Sequence, residues 1–443
     1  MKKLLAIILA LALVFALVAG CGSGSSDTAP PAGSSDAATT DTTDSSSSGD
    51  TETVIVWTWF SEQLGPSVGA AFEEKFPQYK VDAVNIPSGE LEQLLLTGIS
   101  AQTGLPDTNA LQGDSIQRFI QFGGLLDLTD RIEPMINDFP GYKIANNTSA
   151  QGRIYGLPID SGPCALYYHL DLAEEAGIDP AVDFATYESW LASGAKYAAN
   201  DIALHRMTET GVAQWALMLV QQQGQSIFTA DGAAQVNTAE FLNAAQLAKD
   251  LFDSGYAGLW DEWTPQYADA VMNLEVGTII AAAWYMNVFI HSFSDARDWA
   301  IVPMPTFPGS TSRTSNMGGS EMVIPASSDN PEGGWEFIRF YCADVEGRKI
   351  GMDALGEFPA FLPLYREQSV QDKTLPFFRD QKVFAFFATL LPEVPDWRSP
   401  PPLIPVRDML DAEFHSFMIG DITLDAFGER AQNMAEGIVR DFD

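Results

Sequence analysis

Few patterns in these 443 residues have the spacing of a reactive centre. One is Gly65-Pro66-Ser67-Val68-Gly69, which satisfies the G-x-S-x-G rule of a nucleophile elbow and lies between a strand-like and a helix-like run. A four-residue gap, 61–64, stands where a sharp turn is needed, and Pro66 suits the first position of a helix. Ser67 therefore reads as a helix residue. No G-x-x-x-x-G-K-S/T loop is present, so phosphate cradling by that route is excluded. His169, His205, His291 and His415 show no H-E-x-x-H spacing, the three Cys form no C-x-x-C, and no cofactor or metal is implied. Acid pairs suit glycoside hydrolysis, but sequence alone does not set their separation. A secreted carbohydrate-active enzyme thus stays as an alternative to a non-catalytic protein.

More informative are aromatic rings beside polar groups where the chain turns. Trp57, Trp59 and Phe60 end the first strand-like run, Trp284 and Tyr285 end another, and Trp215, Trp260 and Trp263 lie in a helical stretch. A pyranose has an apolar C–H face that stacks on an indole and a hydroxyl edge that needs fixed donors and acceptors. Candidate polar partners are Glu62 with Gln63, Asp114, Asp160 and Glu321, each at a strand end or a chain crossing. The candidate ligand set is therefore Trp59, Phe60, Glu62, Asp114, Asp160, Trp284, Tyr285, Glu321 and Trp215. Each has a plainer reading. Strand alternation places Trp57 and Trp59 on one face and Thr58 and Phe60 on the other, so at least one pair is core. Asp114 also fits as the N-cap of a helix from Ser115, Trp215 stands at helical spacing with Leu219, and Asp261-Glu262-Trp263 fits a solvated loop equally well. Trp190 and Trp335 read as core.

The elements that position these groups alternate. Residues 53–60 (TVIVWTWF) form a buried strand, 64–76 a helix, 80–85 a strand, 90–102 a helix, 106–111 a third strand and 115–122 a helix. That order implies parallel strands with helical crossovers, and ligands then bind beyond the carboxyl ends of the strands. From 166 to about 289 the chain is mainly helical. Residues 278–284, 298–304 and 321–325 read as strands, 331–342 as a helix, and 422–442 as an amphipathic helix.

Composition bounds the class. Hydrophobic residues make up 46%, enough for a large core, while 59 acids against 24 bases give a net charge of −35. That excess argues against a nucleic-acid partner, whose phosphates need Lys and Arg. Residues 1–20 read as a signal peptide, with Lys2 and Lys3 before an apolar run too short to span a bilayer comfortably. Residues 22–52 are Ser, Thr, Gly, Ala and Pro with acids and no aromatic, which predicts a disordered stalk reaching about 30 Å.

Two further sets of residues carry a resemblance. Val18-Ala19-Gly20-Cys21 resembles a bacterial lipobox, which implies a diacylglyceryl group on Cys21 as the only tie to the membrane, on the outer face of the cytoplasmic membrane. In the body, VIVWTWF…AFEEKFPQYKV, the run 104–130 (GLPDTNALQGDSIQRFIQFGGLLDLTD), 155–179 (YGLPIDSGPCALYYHLDLAEEAGID), 277–284 (GTIIAAAW), and Met317-Gly318-Gly319-Ser320 followed by NPEGGWEFI are similar, in order, to the family-1 extracellular solute-binding proteins of ABC importers. The match covers nearly all of 53–365 and thins after Arg366, where 392–405 is proline-rich. The resemblance implies an α/β fold of two lobes with a hinge and an interlobe ligand cleft. One lobe would hold 53–160 plus about 317–365, the other about 161–316 plus 366–443. It implies a monomer that does no chemistry, binds a carbohydrate and delivers it to permease subunits; a cationic solute such as a polyamine is the alternative on the same fold. Cys164 and Cys342 would fall in different lobes, where a disulfide would lock the hinge, so they read as two buried thiols.

Overall fold

The computed structural model describes residues 51–293, 296–397 and 399–442; residues 1–50, with the leader, Cys21 and nearly all of the stalk, lie outside the described residues. Among the described residues ten strands run in chain order: β1 Glu52–Thr58, β2 Tyr79–Asn85, β3 Thr108–Gln112, β4 Gly156–Pro158, β5 Cys164–His169, β6 His205–Arg206, β7 Ala257–Gly258, β8 Thr278–Ala282, β9 Trp299–Val302 and β10 Ser320–Val323. A first sheet has the order β2-β1-β3-β10-β4 and a second β8-β5-β9, with β6 and β7 forming a small ribbon.

Alternation along β1 explains the layers of the first sheet. Val54, Val56 and Thr58 are buried on one face, where the two valines join Phe72, Phe337 and Phe340 from the helices Ala70–Lys75 and Pro331–Ala343. Trp57 points the other way and packs with Ile86, Leu91 and Leu95. The expected β-α-β-α-β start appears as parallel pairs of β1 with β2 and β3. In the second sheet all six residues of β5 are buried. Ala165 and Tyr167 enter one core, and Cys164, Leu166 and Tyr168 enter the other, as expected of a strand covered on both faces.

Between the sheets the chain crosses after β4 and again before β10. The two crossings pair: Pro163 bridges Asn316, and the Met317 N–H donates to the Gly162 carbonyl at 3.0 Å. A side chain at Gly162 would place Cβ 2.2 Å from the Met317 oxygen, so only glycine permits this approach. A third segment joins them, since Ser161 N–H donates to the Phe358 carbonyl at 2.9 Å. The helices Leu403–Met418 and Leu424–Arg440 pack with Val212–Gln222 and Ala239–Asp253 in the core beyond the second sheet.

One local expectation fails. The helix after β1 starts at Ser61, so 61–64 is no gap and Pro66 is not a first position. Pro66 instead sits inside a π-helical turn, Gly65–Gly69, before the helix resumes. Proline has no N–H to give the preceding turn, and the widened turn accommodates that loss. Ser67 Oγ donates to the Gln63 carbonyl, so the hydroxyl is committed to the helix and the elbow motif is incidental. Cys164 and Cys342 are buried and free.

Candidate functional site

Parallel pairing places the ends of β1 and β3 on one edge of the first sheet. β4 also ends there, because it and β3 are both antiparallel to β10. Trp59, Phe60, Asp114 and Asp160 follow those strand ends, and Gly318 and Gly319 lead into β10 on the same edge. On the second sheet, β5 begins where β8 ends, with Cys164 opposite Ala282. Trp284 thus stands at the hinge end of β8. The two edges face one cleft across the crossings.

A cavity occupies this place, lined by Asp114 after β3, Gln214, Leu217, Met218 and Gln221 from the helix Val212–Gln222, the crossing residues Asn316, Met317 and Gly318, and Trp397, Leu403 and Arg407 from the C-terminal region. Its volume is about 40 Å³, far below the roughly 300 Å³ at which small-molecule sites begin. A groove of about 700 Å³ lies between the helices Tyr187–Ala198 and Ala239–Asp253, beside Phe307 and Pro308. Its lining comes from residues 187–192, 243–256 and 307–308, none of them on the edge of the first sheet.

Beside the cavity stands an aromatic platform. Trp284 is half-buried, and its indole N–H donates to the Met317 carbonyl at 2.8 Å. Trp263 stacks on it with ring centroids 5.8 Å apart at 23° and is 67% exposed. The approach to Trp263 is held by two contacts, since Asp261 accepts from Thr208 Oγ1 at 3.1 Å and Glu262 pairs with Arg206. Trp263 itself adopts a φ of +66°, an unfavourable conformation for a bulky side chain. Nothing in the spacing of Asp261-Glu262-Trp263 marks this residue as part of the platform.

The other candidates divide. Trp59 and Phe60 are half-buried and meet edge to face, with centroids 5.5 Å apart. Glu62 is exposed in the first turn of its helix. Asp114 does not cap: the helix Ile116–Phe122 has Ser115 at its N-cap and no side-chain cap bond. Its carboxylate instead accepts from Ser399 Oγ at 3.2 Å and from Arg407 at 3.3 Å.

Asp160, Glu321, Tyr285 and Trp215 turn inward and present no ligand surface. Asp160 Oδ1 accepts from the Ser320 N–H at 2.6 Å, and burial holds its pKa above the usual carboxylate range. Glu321 is fully buried, 2.5 Å from Lys143 Nζ, and accepts from Asn147 Nδ2 at 2.8 Å. Burial raises its pKa too, against the pull of Lys143. Tyr285 lies wholly in the aromatic core with Tyr167 and Phe289. Trp215 is buried against His205. The packing of each side chain, rather than its place along the chain, sets this inward direction.

A sequence profile described as bacterial extracellular solute-binding protein matches residues 57–344. The chain belongs to that family. Among curated relatives, an arabinooligosaccharide-binding protein of Halalkalibacterium halodurans is 24% identical over 405 residues, covering 88% of this chain and 85% of that one. A lactose-binding protein of Rhizobium radiobacter is 24% identical over 355 residues, covering 77% and 82%. Among solved structures, an ABC-transporter-associated binding protein of B. animalis subsp. lactis in complex with β-1,6-galactobiose superposes with a TM-score of 0.75 at 19% identity, covering 88% of this chain and 98% of that one. The galacto-N-biose/lacto-N-biose I-binding protein of Bifidobacterium longum gives 0.75 at 18%, covering 89% and 98%. These likenesses show the two-lobe fold of substrate-binding proteins.

Proposed function

We propose that this solute-binding protein is a carbohydrate receptor of an ABC importer, taking a neutral mono- or oligosaccharide between its lobes and passing it to membrane permease subunits. The observation that carries the reading is the Trp263–Trp284 stack beside the cleft, an exposed indole face tied to the crossing through Met317. Gln214 supplies an exposed amide close by, which pairs with hydroxyls in either direction. The named ligands of the relatives point the same way. A polyamine is disfavoured because Asp114, the carboxylate lining the cavity, already faces Arg407. No catalytic step enters the reading, and the family is one of binding proteins.

Lobe 1 would comprise 53–160 and about 317–365, with the remainder in lobe 2. A lipid on Cys21 would hold the monomer on the outer face of the cytoplasmic membrane through the 22–52 stalk. Replacing Cys21 with Ala should abolish incorporation of a fatty-acid probe and release the protein from membranes; retention would remove the anchor. For the ligand, a thermal-shift panel of arabinotriose, lactose, β-1,6-galactobiose, maltotriose and spermidine is decisive. At 100 times its Kd a ligand adds about 2.7 kcal/mol of stability. A sugar response supports the receptor reading, and a response to spermidine alone overturns it.

A further inference from the structure

Trp263 presents its indole from a backbone that tryptophan avoids. Its φ of +66° lies in the left-handed region, which a bulky residue populates roughly five- to a hundredfold less than its ordinary conformations. Such a conformation persists only where the surroundings hold it, and here both chain neighbours are committed. On the near side Glu262 pairs with Arg206, and both side chains are mostly buried. On the far side Thr264 is the N-cap of the helix Pro265–Met272, where its Oγ1 accepts from the Tyr267 N–H at 3.4 Å. The same hydroxyl donates to the Asp261 carbonyl at 2.6 Å and so closes the loop on itself.

Arg206 is fixed in its turn. It lies opposite Gly258 in the β6–β7 ribbon, and the next residue, Met207, donates its N–H to the Gly258 carbonyl at 3.0 Å. Position 258 has to be glycine, because a Cβ there would run into the Trp260 ring. The guanidinium also lies over the ring of buried Tyr267, 5.8 Å from its centroid. One cation therefore touches both the loop before Trp263 and the helix after it. We propose that Arg206 is a positioning residue for the ligand platform: through Glu262 it keeps Trp263 in its left-handed backbone, with the indole already stacked on Trp284 before a solute arrives. The role rests on the carbohydrate reading for its ligand, though not for its geometry. Without Arg206 the solute itself would have to order the loop, and apparent affinity would fall with the fraction of molecules that hold the stack beforehand.

Fluorotryptophan in place of tryptophan, with Trp263→Phe to identify one of the ten fluorine resonances, reads the stack by NMR without any ligand. In the parent the Trp263 resonance should lie away from that of free fluorotryptophan, because the Trp284 ring centroid stands 5.8 Å off. Arg206→Gln and Glu262→Gln should each move it back by about half or more and weaken the best-bound sugar of the panel about fivefold. Arg206→Lys should keep most of both. Glu262→Gln leaves Arg206 on Tyr267, so it decides the matter even where Arg206→Gln fails to fold. The resonance of Trp190, in the core, should hold still in every variant. A Trp263 resonance unmoved in Glu262→Gln, a shift shared equally by Trp190, or a moved resonance with unchanged affinity would overturn the role. If no sugar binds the parent, the carbohydrate reading fails on its own, and the fluorine resonance still decides whether Arg206 sets the ring.

Discussion

Lys143–Glu321 and Arg407–Asp114 both meet on the carboxyl edge of the first sheet, yet the first is sealed under the short helix Gly141–Asn146 while the second reaches the C-terminal helix Leu403–Met418. Lys143 and Glu321 are 3% and 0% exposed and stand 2.5 Å apart. Arg407 and Asp114 are about a quarter exposed and 3.3 Å apart. A buried pair is costly to form and costlier to break, because the survivor is left charged in a dry site. A partly exposed pair exchanges more readily with water or a hydroxyl. The same edge thus carries one pair that holds shape and one that is able to let go.

Breaking the sealed pair should give the largest effect. Lys143→Met should lower unfolding stability by about 3–5 kcal/mol, read in a denaturant melt, and adding Glu321→Gln should recover most of it. A change under about 1 kcal/mol would dissolve the contrast.

Acid provides a second test, away from both pairs. His205 is buried beneath β8, with its Nδ1 N–H donating to the Thr278 carbonyl at 3.0 Å. Burial, reinforced by neighbouring Arg206, lowers its pKa to about 3. The unfolded chain binds this proton near pH 6.5 and the folded chain does not. Stability from this residue is therefore present above 6.5 and is lost as pH falls toward 3, by about 3 kcal/mol at pH 4.5. His205→Gln should flatten that part of the pH profile; an unchanged slope would assign the acid response to the hinge carboxylates.

The ligand platform comes next. Trp284→Ala should weaken sugar binding more than roughly tenfold, about 1.4 kcal/mol, by calorimetry, with the melting temperature kept in the folded range. Trp263→Ala should act in the same direction with less effect on folding, because its ring is mostly exposed. Equal affinity in both variants would take the stack out of the site. The smallest effect is expected at the yielding pair: Asp114→Asn should cost no more than about 1 kcal/mol of stability, and a larger loss would make it a structural pair like Lys143–Glu321.

The fold was legible because its strands announce themselves by period and composition. TVIVWTWF, TIIAAAW and EMVIP each overlap an observed strand, and the order of strands and helices led to parallel β1, β2 and β3. The helix after β1 was misplaced because Pro66 reads as a start signal, and a π turn inside a helix leaves no pattern in single-sequence periodicity. Positions near the cleft were legible too, since strand ends can be counted. Directions were not: Glu321 stands at the start of β10 and Tyr285 just after β8, as near the cleft as Asp114 and Trp284, but packing from distant Lys143 and Phe289 turned them inward. Arg407, Trp397 and Ser399 come from the region where the family likeness thins, and no local motif connects them to residue 114.

The Trp284 indole gives its hydrogen to the carbonyl of Met317, a residue of the crossing, while its face rests on Trp263. Any rotation of the lobes therefore disturbs the surroundings of two of the chain's ten tryptophans at once. The molecule carries its own optical gauge: ultraviolet emission, without any added dye, should register the opening and filling of the cleft in real time.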